Sequence, residues 1–307
     1  MDSVISLFSD YTFQTVALGS ALLGLISGVL GSFAALRKQS LLGDGVSHSA
    51  LPGVVMAFVL LDSKNTEILL LGALLSGLMA TLLIVGVVRH TRVKFDSALA
   101  LVMSVFFGLR LVLLTYVQKI PNSNQAGLKR FIFGQASTLL QRDIALMIIC
   151  GLILLTLVLL FWNEFKLFTF DADFAQSLGF SPKNLNLLLS FMIVLAIIIG
   201  LQTVGVILMS AMLITPAVAA RQWTNKLWVM VTLSSLFGAI SGIAGTAASS
   251  LVSKLPTGPA IVVCISLIVI VSVLFAPGRG VLHRSYQHRK NRIFYRREGG
   301  GIDAPTS

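Results

Sequence analysis

The 307-residue sequence contains few charged residues. Asp, Glu, Lys and Arg together make up 11% of the chain, compared with about 25% in soluble domains. Hydrophobic residues make up 56%, and several apolar stretches reach or exceed the roughly 20 residues that a helix needs to cross a bilayer. This composition excludes an ordinary soluble globular protein. It predicts an all-α, polytopic helical membrane protein.

Cysteines and nucleotide-binding motifs are also scarce. The two cysteines, Cys150 and Cys264, each lie inside an apolar stretch, which excludes a disulfide framework and a cysteine metal cage. The sequence has no P-loop, glycine-rich nucleotide fingerprint or zinc-protease motif. We therefore expect a transport subunit without a permanently bound cofactor and not an enzyme. If a nucleotide drives the transport, another chain must bind it.

The net charge of +11 could indicate a nucleic-acid partner. However, seven of the 23 cations lie between Arg279 and Arg297, directly after the last apolar stretch. Membrane orientation accounts for such a cluster more simply, because cytoplasmic loops and tails are enriched in Lys and Arg. We expect no nucleic-acid partner.

Eight windows are free, or almost free, of charged residues. They cover residues 11–36, 45–61, 68–88, 97–118, 144–163, 184–220, 227–253 and 255–278. As one helix, the window 184–220 would be about 55 Å long, nearly twice the hydrocarbon core of a bilayer. A break near Gly200, Gln202 and Gly205 gives nine spans, whereas a half-span there gives eight.

The loops of the nine-span topology differ in positive charge. One side holds 16 Lys and Arg residues and the other holds 6, which predicts an outside N-terminus and a cytoplasmic C-terminus. We divide the chain into a transmembrane domain, 1–280, which includes a cytoplasmic segment at 164–183, and a basic cytoplasmic tail, 281–307, with a disordered end.

Two pairs of glycines stand four residues apart within apolar stretches. They are Gly24 with Gly28, and Gly238 with Gly242. Such spacing lets helix backbones approach closely in a membrane.

Three ionisable residues lie at or near membrane depth, where they are rare and usually functional. Asp44 and His48 have the i, i+4 spacing that puts two side chains on one helix face, where they could bind one cation. The alternative is a hydrogen bond that caps or stiffens the start of a helix. Pro52 has no N–H for the carbonyl of His48, which leaves a further oxygen free. Arg110 would repel a metal ion, so we expect it to face a helix interface or a polar crevice.

Two ligands are too few for a transition metal. A symmetric dimer with this helix at its axis would supply two carboxylates and two imidazoles, a set that suits Mn²⁺, Fe²⁺ or Zn²⁺. Cu(I) is disfavoured by the lack of a cysteine or methionine cluster, and Mg²⁺ by the imidazoles.

Two stretches carry a family resemblance. Residues 42–53, Leu-Gly-Asp-Gly-Val-Ser-His-Ser-Ala-Leu-Pro-Gly, resemble the hallmark of the manganese/zinc/iron ABC importer permeases, usually Gly-Asp-Ala-(Leu/Ile)-Ser-His-Ala-x-Leu-Pro-Gly. Residues 202–217 resemble the later family stretch Val-Gly-x-Leu-Leu-x-x-Ala-Leu-Leu-Ile-x-Pro-Ala. The resemblance covers roughly residues 13–280. Gly45 and Ser49 replace the usual alanines, and neither change removes a ligand.

The resemblance implies a permease of a bacterial plasma membrane with several partners. These are a second permease subunit, identical or not, two cytoplasmic ATPase subunits, and an extracytoplasmic metal-binding protein. It also implies that Asp44 and His48 are the intramembrane metal ligands.

The segment 164–183 is similar to the coupling helix by which ABC permeases dock on their ATPase. Asp173, Ala175 and Gly179 carry this likeness. Asp173 would cap a short helix, Gly179 would end it, and Pro182 would prevent its continuation.

We expect inward transport of a divalent transition metal, with Mn²⁺ first, Zn²⁺ second and Fe²⁺ third. One alternative is a permease for a metal chelate such as a siderophore or corrinoid, which needs a wide hydrophobic pathway and no paired ligands. The other is a carrier coupled to protons or sodium that works without an ATPase.

Overall fold

A computed structural model describes residues 10–61, 65–119, 141–201, 203–252, 255–277 and 280–282. Gln202 of the expected break, most of the loop 118–143 and the basic tail beyond residue 282 lie outside these residues. The described residues form helices and no strand. In chain order the helices are α1 (Tyr11–Leu36), α2 (Leu42–Leu61), α3 (Thr66–His90), α4 (Phe95–Gln118), α5 (Gln141–Leu160), α6 (Trp162–Phe170), α7 (Ala172–Ser177), α8 (Pro182–Leu201), α9 (Val206–Trp223), α10 (Leu227–Leu251) and α11 (Thr257–Phe275).

The all-α membrane fold predicted from the sequence is confirmed. Eight of the described helices are long and apolar enough to cross a membrane, namely α1 to α5, α8, α10 and α11. The nine-span topology has one span more than these eight helices. The additional span is α9, which has 18 residues.

The long apolar window at 184–220 breaks where the sequence predicted. Helix α8 ends at Leu201 and α9 begins at Val206. Gly205 precedes α9 with a φ of +83°, a conformation that glycine adopts without the steric cost of a Cβ. The hydroxyl of Thr203 donates to the carbonyl of Gly200 over 2.8 Å. The break is therefore built from the glycines that the sequence offers there.

Helices α1 and α9 form the centre of the bundle, and α4 and α5 lie at its edge. In the most apolar window of α1, 78% of the residues are buried, compared with 22% in α4 and 28% in α5. Helix α9 contacts α1, α2, α10 and α11. The exposed apolar side chains of α4 and α5 are what helices at the edge of a membrane bundle present to lipid or to a second subunit.

A close backbone contact joins α1 to α10 through the predicted glycine pairs. A Cβ on Gly24 would collide with the carbonyl of Gly238, and one on Gly242 would lie 2.5 Å from the carbonyl oxygen of Ser20. The hydroxyl of Ser234 donates to the carbonyl of Gly28 over 2.7 Å. The close approach predicted from the spacing is confirmed.

We predict that Gly238→Val destabilises the protein, because its side chain meets the backbone of Gly24 and the two helices must move apart. Overpacking of this kind costs about 1–3 kcal/mol. The measurement is the thermal unfolding midpoint in detergent. Gly86→Val in α3 is the control, since a Cβ at Gly86 meets no atom of the described residues within 4 Å. Equal midpoints for the two variants would contradict the role of this contact.

Candidate metal site and coupling segment

The first four turns of α2, residues 42–55, are buried except at Asp44 and His48, which lie on one stripe of the helix. The Asp44 side chain is 38% exposed and the His48 side chain 20%, whereas Gly43, Gly45 and Ser47 beside them are buried. Both predicted ligands therefore face the same crevice.

The two side chains are placed to share one ion. His48 Nε2 lies 3.5 Å from Asp44 Oδ1, and two ligands each about 2.1 Å from a tetrahedral ion are roughly 3.4 Å apart. Within the described part of the chain, no backbone N–H donates to the Asp44 carboxylate, as it would to a helix-capping side chain.

Glycines bring α2 close to its neighbours at this level. A Cβ on Gly45 would lie 3.1 Å from Leu99 Cγ of α4, and one on Gly43 would lie 3.0 Å from Leu213 Cδ2 of α9. These distances are tighter than ordinary packing, so small residues on either side of Asp44 let α4 and α9 approach it. Gly45, where the family usually has alanine, faces Leu99 directly.

Hydroxyl hydrogen bonds and a proline shape the next turn of α2. The Ser49 hydroxyl donates to the carbonyl of Gly45, and the Ser76 hydroxyl of α3 donates to the carbonyl of Ser49, each over 2.6 Å. Pro52 lies inside the helix, so the carbonyl of His48 receives no N–H from it. An additional oxygen is therefore available near the two ligands.

Two residues of α4, Phe107 and Arg110, lie beside the site. The rings of His48 and Phe107 meet edge to face with centroids 5.9 Å apart, and the Arg110 guanidinium lies 5.8 Å from the Phe107 centroid. Arg110 Nε is buried and has no hydrogen-bond partner among the described residues. The cation and the imidazole therefore both lie about 6 Å from the same aromatic ring. Nothing in the amino-acid sequence marks Phe107 as part of this site.

Asp44 and His48 are too few to form a metal site by themselves. Over the described ranges, no group of three or more His, Cys, Asp or Glu side chains could hold an ion. Any further His, Cys, Asp or Glu ligands must come from outside these ranges or from another molecule.

A cavity of about 560 Å³ opens beside the residues that lead into α2. Lys38 and Ser40 line it from the α1–α2 turn, Asp96 from the start of α4, and Ile214 and Arg221 from α9. Ser40 precedes Asp44 by four residues, so the cavity lies at the end of α2 that carries the candidate ligands.

The segment 164–183 folds into the short helix that the sequence predicted, with one correction. Asp171 caps α7, since its carboxylate accepts the N–H of Phe174 over 2.9 Å. The prediction that Asp173 caps α7 was wrong, because α6 ends at Phe170 and leaves Asp171 as the only residue between the helices. Asp173 lies in the first turn of α7, where a negative charge still favours the helix dipole.

Gly179 ends α7 as predicted. Its φ is +89°, its N–H donates to the carbonyl of Gln176, and the N–H of Phe180 donates to the carbonyl of Ala175. This is the Schellman arrangement, in which a glycine in the left-handed region satisfies the last carbonyls of a helix. Ala175 is fully buried, so a larger residue there would push α7 away from the bundle.

Large apolar side chains cover the outer surface of α7 and its flanks. Phe170, Phe174 and Leu178 are 62%, 51% and 57% exposed. Sequence reasoning missed these three residues, although their regular spacing of four is the signal of one apolar helix face.

The comparison with known proteins decides the family. The sequence pattern of the ABC 3 transport family matches residues 9–276. The chain belongs to the ABC 3 transport family. It is therefore a multi-pass membrane subunit of an ABC transporter, and the family resemblance seen in the two sequence stretches is confirmed.

Individual members of the ABC 3 transport family resemble the chain over most of its length. The zinc transport system membrane protein TroC of Treponema pallidum is 52% identical over 290 residues, which is 94% of this chain and 97% of TroC. The manganese transport system membrane protein MntC of Bacillus subtilis is 48% identical over 268 residues, or 87% of this chain and 62% of MntC.

A solved structure agrees with the fold. A chain of PsaBC from Streptococcus pneumoniae, determined in complex with a Fab, superimposes with a TM-score of 0.79 at 28% identity. The match covers 94% of this chain and 98% of that chain.

Proposed function

We propose that the chain is the transmembrane subunit of an ATP-driven importer that carries a divalent transition metal into the cytoplasm, with Mn²⁺ favoured over Zn²⁺ and Fe²⁺. The observation that carries this proposal is the Asp44–His48 pair, which occupies the open stripe in the otherwise buried first turns of α2. The names of TroC and MntC, a zinc and a manganese system, support the metal class.

A second permease subunit would complete the site. Two copies of the stripe facing each other would supply two carboxylates and two imidazoles, and this set suits Mn²⁺, Zn²⁺ and Fe²⁺. The two carboxylates would also balance the charge of the ion, which lowers the cost of holding it at membrane depth. A paired subunit with the same Asp and His would serve equally well.

The cavity at the start of α2 provides the exit. Ser40 and Asp96 line it, and oxygen atoms of this kind are ligands that Mn²⁺ accepts readily. Lys38 and Arg221, which also line it, would disfavour a resting cation and so promote release.

Two cytoplasmic ATPase subunits would supply the energy, each docking on α7 of one permease subunit. Phe174 on α7, Phe170 at the end of α6 and Leu178 directly after α7 are exposed apolar side chains on or beside a capped helix, as a docking element requires. An extracytoplasmic metal-binding protein would deliver the ion at the opposite side.

We predict that Asp44→Asn and His48→Ala each lower Mn²⁺ uptake by more than about 100-fold, because outer-shell partners of metal ligands alone contribute 10- to 100-fold. In a paired site each substitution removes two ligands. The measurement is accumulation of radiolabelled Mn²⁺ in cells at equal permease expression, with association of the ATPase checked by co-purification.

Two variants serve as controls for these substitutions. His90→Ala removes an exposed histidine at the end of α3, and Glu67→Gln breaks the exposed ion pair with Arg142. Both should accumulate Mn²⁺ like the wild type. Near-normal uptake by Asp44→Asn or His48→Ala would indicate that the pair has a structural role in α2 and does not bind the metal.

We predict that a cysteine at position 176 is protected from impermeant maleimide added outside intact cells and becomes reactive when the cells are opened. Gln176 is exposed on α7, and we place this helix in the cytoplasm. The variant Gln176→Cys is made after Cys150 and Cys264 have been replaced by alanine. Labelling from outside would overturn both the orientation and the ATPase docking role.

A further inference from the structure

The turn that leads into the metal-site helix has a fixed geometry. Arg37 caps the C-terminus of α1, and Lys38 follows it with a φ of +58°. The N–H groups of Lys38 and Gln39 donate back to the carbonyls of Ala35 and Ala34 over 3.2 and 2.9 Å. This Schellman arrangement closes the end of α1. Gln39 is buried and accepts the N–H of Leu42 over 3.1 Å, so the turn continues directly into α2.

Arg37 joins this turn to α6. Its guanidinium lies 3.8 Å from the centroid of the Phe168 ring, within the range of a strong cation–π contact. Phe168 is 4% exposed. Burial lowers the pKa of Arg37 to about 10, so the side chain remains a cation at neutral pH.

The guanidinium depends on the aromatic ring more than on any ion pair. Arg37 Nη1 is buried, and no residue of the described ranges accepts a hydrogen bond from it. A desolvated cation over an aromatic face is held more strongly than one at an exposed site. The Arg37 side chain is half-buried, so displacing the ring would remove the contact that stabilises a partly desolvated cation.

An aromatic cluster reinforces the same junction. The ring of Phe33, in the last turn of α1, contacts the rings of Trp162 and Phe165 in α6, with centroids 5.9 and 5.8 Å apart. Phe33 and Phe165 are fully buried. The end of α1 and helix α6 are therefore packed as one unit.

This unit connects the two places where the proposed function needs movement. On one side, α6 is followed after a single residue by α7, the proposed ATPase docking helix. On the other side, the turn after Arg37 leads into α2, whose first turn holds Asp44. The Arg37–Phe168 contact joins α6 to this turn through a charged side chain.

We propose that Arg37 is a positioning residue for transport, which through Phe168 makes α6 and the α1–α2 turn move together and so transmits movement of α7 to Asp44 and His48. The inference rests on the proposed function, because it requires an ATPase on α7 and a metal on α2. Arg37 would act through Phe168 and not by contact with the metal or the ATPase. Its loss should uncouple hydrolysis from transport and leave both partners able to bind.

The test uses the assembled transporter with its ATPase subunits in liposomes, and it measures the Mn²⁺ moved per ATP hydrolysed. Arg37→Met and Phe168→Leu should each lower this ratio by about tenfold, a factor in the range expected for a desolvated cation–π contact. Phe168→Tyr keeps the aromatic face and should restore the ratio to within about twofold. Lys166→Ala removes an exposed cation from the same helix and should leave the ratio unchanged.

Two further results decide the origin of the effect. The double variant of Arg37→Met and Phe168→Leu should have the ratio of either single variant, because both remove the same contact. The inference would be overturned if the two single-variant losses in this ratio multiplied in the double variant. It would also be overturned if Phe168→Leu left the ratio unchanged while the ATPase still co-purified. If Arg37→Met fails to assemble, the Phe168→Leu and Phe168→Tyr pair decides it.

Failure of the proposed function would look different. In that case the wild-type transporter itself would move none of Mn²⁺, Zn²⁺ and Fe²⁺, or its ATPase would not co-purify. Either result would overturn the metal-import proposal and the role of Arg37 with it.

Discussion

A carboxylate inside a membrane-spanning helix is the constraint on which the rest of the structure depends. Asp44 lies in the first turn of α2, a helix long and apolar enough to cross a bilayer, and a charge at the centre of such a helix costs about 2.5–3.5 kcal/mol. The chain leaves this group open on one stripe, with His48 3.5 Å away. Such an arrangement is favourable when a cation and a second set of ligands face the stripe. A paired metal site in a dimeric importer meets both conditions.

The helices of the bundle pack closely at glycines, where no side chain separates them. This packing holds the stripe in place. Gly24 and Gly238 join α1 to α10 backbone to backbone, and Gly43 and Gly45 let α9 and α4 approach α2. In a membrane, where lipid is as apolar as leucine, close packing of this kind is what drives helix association. The glycines therefore fix the positions of the helices that surround Asp44 and His48.

Much of this could be predicted from the sequence, because it depends on residues close together in the chain. The break before Gly205, the end of α7 at Gly179 and the shared face of Asp44 and His48 are examples. The sequence prediction put the N-terminal cap of α7 at Asp173, two residues after the observed cap, Asp171. The position of this cap depends on where α6 ends. The contact of His48 with Phe107 depends on how α4 is rotated against α2, about which the sequence of α4 says nothing. The same holds for Arg37, whose partner Phe168 is far away in the chain.

The most direct test of the paired metal site is the stoichiometry and coordination of Mn²⁺ in the assembled, detergent-purified transporter. Metal analysis should give one Mn²⁺ for each pair of permease chains, and pulsed electron paramagnetic resonance should detect imidazole nitrogen bound to the ion. One Mn²⁺ per permease chain, or an ion with oxygen ligands alone, would contradict a site shared by two copies of Asp44 and His48.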